Sequence, residues 1–231
     1  AHGATYKGRP VGSLGDVAAF SFCQDKIMTT AGEGGMLTTN NREIWERAWS
    51  FKDHGKFFDT VYKRASLSGF NWVHDSFGTN WSITEVQAAI GRAQLHKLPA
   101  WLETRRRNAD TLTECFSKIS ALKVTPSPNE IRHAYYKYYV FVRPEYLAQG
   151  WDRNRIMLAI SAEGVPCFNG SCSEIYLEKA FQDKFGKQER LPVAKVLGET
   201  SLMFLLHPTL LPEDMQDTCT AVKKIMSVAS R

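Results

Sequence analysis

The chain has 231 residues, 43% of them hydrophobic and 23% charged, which suits a folded globular protein of one large or two small domains and excludes a disordered one. Its net charge of +5 is modest and its basic residues are scattered, so the long basic stripe of a nucleic-acid binder is missing. No window approaches the ~18 apolar residues of a membrane-crossing helix, and five cysteines without a Cys-x-x-Cys pair predict reduced thiols in a cytoplasmic protein without structural zinc.

The opening AHGATYKGRP lacks Met and any apolar signal region, and reads as the interior of a loop rather than a natural start. DVAAFSF at 16–22 is a compact apolar run after Gly15, predicted to be a buried parallel strand. GMLTT at 35–39 predicts a second strand, and Asn41 an N-cap for a helix carrying Ile44, Trp45 and Trp49. Residues 51–81 are rich in aromatics and glycine but weakly periodic, a pattern expected of a functional or interfacial stretch.

From Ser82 the pattern turns helical. Ile83, Val86, Ile90 and Leu95 fall on one stripe, and Ser82 with Glu85 has capping-box spacing. Pro99 predicts a break, followed by a second helix with Leu102, Ala109, Leu112 and Phe116, on which Arg105, Arg106 and Arg107 predict a solvated face. YKYYVFV at 136–142 predicts a strand and DRNRIMLAISAEG at 152–164 a helix stopped by Gly164. VPCF opens another strand, SLMFLL at 201–206 ends one at His207-Pro208, and PEDMQDTCTAVKKIMSVAS predicts a terminal amphipathic helix. The organisation splits near residues 80–120, from the tail of an α/β sheet domain to a smaller α+β domain.

One lysine raises a chemical question. In SFCQDKIMTTAGEGGML, residues 21–37, Lys26 stands at the exit of the apolar strand and before Gly-Glu-Gly-Gly at 32–35. A loop lysine is ordinarily a solvated charge and glycine turns are common, so these residues alone favour that plain reading. A lysine that attacks a carbonyl must be neutral, and a strand exit beside glycines that allow close backbone approach can disfavour the ammonium form. Ser21, five residues earlier, offers a hydroxyl to a phosphate near the same lysine. The turn is not a Walker motif, because it lacks the Gly-Lys-Ser/Thr ending.

Residues 1–40, AHGATYKGRPVGSLGDVAAFSFCQDKIMTTAGEGGMLTTN, resemble almost position for position the cofactor-lysine segment of the DegT/DnrJ/StrS-type nucleotide-sugar aminotransferases. These are fold-type-I enzymes that use pyridoxal 5′-phosphate (PLP). GTNWSITEVQAAIGRAQLHKL at 78–98 resembles the family's Gly-x-Asn-x-Arg-x-x-Glu-x-Gln-Ala-Ala-x-Gly-x-x-Gln-Leu helix; DHG at 53–55 and LPVAKVLGETSLMFLLHPTL are also similar. The resemblance spans essentially the whole chain. It implies an α/β fold: residues 1–98 as the remainder of a PLP-binding large domain with a mixed, mostly parallel sheet, and 99–231 as a small C-terminal α+β domain.

By the same resemblance Lys26 is the Schiff-base lysine and then the general base or acid of the proton shift, and Ser21 hydrogen-bonds the PLP phosphate. Asn80 reaches the cofactor phosphate of the neighbouring subunit in a homodimer. The implied reaction moves an amino group from an amino acid, glutamate foremost, to a keto group on a nucleotide-linked sugar. It serves cell-surface polysaccharide (lipopolysaccharide) or secondary-metabolite sugar biosynthesis in the cytoplasm, with no nucleic-acid or membrane partner. A lysine at position 26 favours an aminotransferase over the related sugar dehydratases, which carry a histidine there. Gly32, Gly34 and Gly35 still read as turn glycines, Glu33 as a turn carboxylate and Cys23 as packing; His54 and His207 are family-like positions or satisfied structural histidines.

Two departures stand out. Ser82 occupies the place where the family often has an arginine. The aspartate that pairs with the pyridinium nitrogen, the ring-stacking aromatic and part of the phosphate cup belong upstream of residue 1, so the sequence reads as the C-terminal portion of an aminotransferase that is inactive alone. The alternative is a catalytically inactive truncated remnant acting as a dimerisation or interaction module.

Overall fold

The computed structural model describes residues 1–62 and 73–231. Its strands are β1 (Thr5–Tyr6), β2 (Arg9–Pro10), β3 (Val17–Ser21), β4 (Gly35–Thr39), β5 (Leu122–Val124), β6 (Ile131–Arg132), β7 (Tyr138–Val142), β8 (Cys167–Phe168) and β9 (Ser201–Phe204). Its helices are α1 (Arg42–Lys52), α2 (Phe58–Tyr62), α3 (Glu85–Phe116), α4 (Arg153–Ala162), α5 (Lys179–Phe185), α6 (Pro192–Thr200) and α7 (Pro212–Ala229). This is the α/β class expected. The elements fall into two units, residues 1–100 with 129–134, and residues 101–128 with 135–231.

In the first unit β3 and β4 pair antiparallel, from Val17 opposite Thr39 to Ser21 opposite Gly35. The expected buried parallel strand at 16–22 is therefore corrected. No helix lies between the two strands to carry the chain back to the starting end, so it can only return alongside β3 in the opposite sense. Val17, Ala19 and Ser21 are exposed, Ala18 and Phe20 half-buried, and full burial begins at Phe22. Every strand pair among the described residues is antiparallel. The Asn41 side chain caps α1, accepting from Ile44 N–H at 3.2 Å. Phe58 of α2 packs edge-on to Trp45 and Trp49 of α1, ring centroids 5.0 and 5.4 Å apart.

Helix α3 departs from expectation three times. It begins at Glu85 rather than Ser82: Thr84 N–H donates to Gln87 Oε1 and Gln87 N–H to Thr84 Oγ1, a capping box two residues later with the same spacing. Ser82 Oγ instead accepts from Lys52 Nζ at 3.3 Å. The helix does not break at Pro99, which sits inside it between the buried Leu98 and Leu102. Of the expected apolar stripe only Ile90 turns inward; Ile83, Val86 and Leu95 face out. Val86 and Leu95 are 71% and 54% exposed, while Gln87, Ile90, Gly91, Gln94 and Leu98 turn inward.

The second unit is built on a four-stranded antiparallel sheet in the order β5-β7-β9-β8. Tyr138, Val140 and Val142 alternate inward along β7, the period of a half-buried strand. They join Leu112 and Phe116 of α3, Ile156 and Ile160 of α4, Leu202 and Phe204 of β9, and Val222 and Met226 of α7 in one core. Each such side chain contributes about 1.5–3 kcal/mol on burial. Asp152 caps α4, and Gly164, at φ 87°, ends it as the sequence predicts.

The arginine trio is corrected in part. Arg105 is buried, one turn from Leu102 and Ala109, and its Nη1 donates to the Tyr135 and Tyr136 carbonyls. Arg106 pairs with Glu103 at 2.9 Å, and Arg107 is exposed as expected. All five cysteines are free thiols, Cys115, Cys167 and Cys219 buried and Cys172 exposed. Among the described residues no helix is long and apolar enough to cross a membrane.

Candidate active site

Between β3 and β4 the chain makes a loop that is tied at its neck and anchored from inside. Phe22 N–H donates to the Gly34 carbonyl at 2.7 Å, and Thr30 N–H to the Phe22 carbonyl at 3.4 Å. Phe22, Ile27, Met28 and Thr30 are buried. Gly34 is required at the neck, because a Cβ there would lie 2.4 Å from Thr30 Oγ1. With its neighbours held, Lys26 keeps 33% of its side chain exposed; its Nζ lies 3.4 Å from Asp25 Oδ1, an exposed pair of little energetic weight.

The Lys26 side chain borders a cavity of about 350 Å³ that Ser21, His2, Phe20, Gly12 and Ala18 also line. Ser21 Oγ accepts from Cys23 N–H at 3.3 Å, which leaves its own hydrogen for another acceptor. His2 is 6% exposed, with ring centroids 5.7 and 5.6 Å from those of Phe20 and Phe22. Neither of its ring nitrogens makes a well-aligned hydrogen bond, although the Ser21 backbone lies close enough to interact with the ring. Burial foremost lowers its pKa, helped by the positive charge of Lys26 and opposed by a hydrogen-bonding contact with the Ser21 backbone. The side chain is thus a neutral imidazole, one donor and one acceptor, at the cavity wall. Sequence reasoning gave His2 no role; its signal was the Ala-His-Gly-Ala match at residues 1–4.

Ser21 and Lys26 therefore come together, and Asn80 does not join them within one chain. Asn80 is exposed, and its backbone bridges Asp53 at the end of α1. Thr79 N–H donates to the Phe51 carbonyl and Trp81 N–H to the Lys52 carbonyl, so the segment is pinned through its backbone. Asp53 accepts from His54 Nδ1 and Lys56 Nζ, and the His54 bond foremost holds its carboxyl below the usual range. Of the expected interfacial stretch 51–81, residues 63–72 lie outside the described ones. Glu33 Oε1 accepts from the Cys23 thiol at 3.3 Å. In the second unit, His207 Nδ1 is 2.7 Å from Thr209 Oγ1.

The fold is that of an aminotransferase. The aminotransferase of Psychrobacter cryohalolentis superposes with a TM-score of 0.94 at 50% identity, over 98% of this chain and 60% of that one. The chain belongs to the DegT/DnrJ/EryC1/StrS aminotransferase family, whose model matches residues 1–223. It is similar to GDP-perosamine synthase of Escherichia coli O157:H7, 29% identical over 98% of this chain and 56% of that protein. It is also 28% identical to UDP-N-acetyl-3-dehydro-alpha-D-glucosamine 3-aminotransferase of Acidithiobacillus ferrooxidans, over 97% of this chain and 54% of that protein. The chain thus spans a little over half the length of the curated relatives it matches.

Proposed function

We propose that the protein containing this chain is a PLP-dependent aminotransferase that carries an amino group from an amino acid, glutamate foremost, to a keto group on a nucleotide-linked sugar. Family membership supports the reaction class. The names of the two curated relatives, a GDP-sugar synthase and a UDP-sugar aminotransferase, support the substrate class. The observation that carries the reading is Lys26 and Ser21 on one cavity, beside a buried imidazole with unused hydrogen-bonding capacity.

Those residues fit PLP. A cavity of about 350 Å³ suits a small organic phosphate. A primary amine matches the aldehyde, a hydroxyl with a free hydrogen matches the phosphate, and His2 offers a further polar contact. PLP when bound supplies the electron sink for charge on the donor's α-carbon. Lys26 Nζ anchors the cofactor and then moves the proton at that carbon. Ser21 Oγ–H orients the phosphate, and Phe20 and Ala18 keep water from the wall they form.

Asn80 reaches the phosphate from the second subunit of a homodimer in this reading. Phe77 is fully exposed and Trp81 70% exposed, next to outward-facing Ile83, Val86 and Leu95, the apolar display of a subunit contact. The work is done in the cytoplasm. Borohydride reduction of the whole protein with PLP tests the core of this reading: a pyridoxyl group is expected on Lys26, and Lys26→Ala is expected to lower turnover on the order of 10³-fold or more. Labelling confined to another lysine would overturn it.

A further inference from the structure

Helix α3 reaches the lysine loop through two side-chain amides. Gln94 Oε1 accepts from Thr29 N–H at 2.9 Å, and Gln87 Nε2 donates to the Glu33 carbonyl at 2.9 Å. Seven residues are two helical turns, so both amides stand on one face. Gly91 lies between them on that face, where a Cβ would come 3.0 Å from Cγ2 of the fully buried Thr30. Both loop partners are backbone groups of fixed polarity, which settles how each amide is turned: oxygen from Gln94, nitrogen from Gln87. The other end of the Gln87 amide is occupied as well. Its Oε1 accepts from Thr84 N–H and Thr84 Oγ1, at 3.2 and 3.0 Å. One side chain thus closes the start of α3 with its oxygen and holds the loop with its nitrogen.

We propose that Gln87, Gly91 and Gln94 form a clamp that positions Lys26, a role that rests on the reading of Lys26 as the cofactor lysine. The neck bonds fix where the loop leaves and rejoins the hairpin, but not the path between. Gln94 takes the loop three residues after Lys26 and Gln87 seven residues after it, while the bare face of Gly91 lets Thr30 seat between them. Buried Ile27 and Met28 carry that constraint back to Lys26, whose amine is then offered to the cavity from one direction. Pre-set geometry of this kind is where a displacement of about 1 Å costs large factors in rate.

The double use of Gln87 supplies its own control. In the whole protein Gln87→Glu keeps an oxygen for Thr84 N–H but loses the donor to Glu33, whereas Gln94→Glu keeps the acceptor for Thr29 N–H and Gln94→Ala removes it. Without cofactor, amide hydrogen exchange at residues 29–34 is expected to quicken about tenfold in Gln87→Glu and Gln94→Ala and to stay at the wild-type rate in Gln94→Glu. The first amides of α3 should keep wild-type protection in all three. With sub-saturating PLP, borohydride trapping on Lys26 is expected to drop about tenfold in the same two variants and to be retained in Gln94→Glu. Unchanged exchange in both Gln87→Glu and Gln94→Ala overturns the clamp. Faster exchange with unchanged trapping and turnover also overturns it, since the ties would then be structural only. Wild-type protein that traps no PLP on Lys26 overturns the reading of the site itself, while the exchange result separately reports whether the ties hold the loop.

Discussion

Ser21 is the last residue of β3 and faces the cavity from the strand's exposed side, with a single backbone N–H on its oxygen. Under the proposed function that arrangement would offer a phosphate one directed hydroxyl without burying a charge. Ser21→Ala is expected to raise the dissociation constant for PLP about tenfold and leave turnover at saturating PLP nearly unchanged, as an absorbance titration against steady-state rates will show. A loss of turnover with unaltered PLP affinity would move Ser21 out of the phosphate site. Glu174 illustrates a residue whose work is stability. Its side chain is 8% exposed, and Arg190 Nε and the Tyr176 hydroxyl donate to it. The Arg190 bond foremost holds its carboxyl below the ordinary value of 4.5. A depressed carboxyl stabilises the fold at pH values above 4.5, and that contribution fades as pH falls through the lowered value. Urea midpoints measured from pH 6 to pH 3 are therefore expected to drop more in the wild type than in Glu174→Gln; parallel curves would remove Glu174 from the acid response.

At the scale of elements, the sequence told most where hydrophobic period and capping agreed. The Asn41 cap, the alternation of β7, and α4 between Asp152 and Gly164 are all found where residue patterns put them. The pairing of Ser21 with Lys26 on one cavity was legible from the family-like spacing. What the pattern hid is α3. An apolar-stripe rule points Val86 and Leu95 inward, but two glutamines occupy the inward face because they satisfy backbone groups of the lysine loop. Polar residues that serve another element's backbone look like surface to any rule that reads one helix at a time. Pro99 misled for a related reason: a missing N–H costs one helical bond, and buried Leu98 and Leu102 on either side outweigh it. Pro99→Ala is accordingly expected to stabilise the protein by about 1–3 kcal/mol in urea unfolding, and a lowered midpoint would overturn this account of the helix.

At the scale of the whole molecule, one group of exposed apolar side chains, Phe77, Trp81, Ile83, Val86 and Leu95, lies around Asn80 and the first turns of α3, where Phe51 and Trp81 also pack edge-on, ring centroids 5.5 Å apart. The whole protein is expected to sediment as a dimer at micromolar concentration, and Trp81→Glu with Val86→Glu to shift it toward monomer and lower its PLP affinity. A monomeric wild type would sink that assignment. The loop between β3 and β4 carries a consequence of another kind, for how such enzymes diversify. The ties that set its neck and bind it to α3 run through backbone atoms of Phe22, Thr29, Thr30, Glu33 and Gly34, while the Lys26 side chain pairs with its exposed neighbour Asp25. Shape and chemistry are thereby inherited separately. A substitution at position 26 that leaves these backbone ties in place can change the chemistry offered by the loop in one step while the scaffold stays intact. Lys26→His is expected to keep the wild-type Tm within about 2 °C while, under the proposed function, removing the amine that the cofactor needs, a separation of shape from chemistry in a single residue.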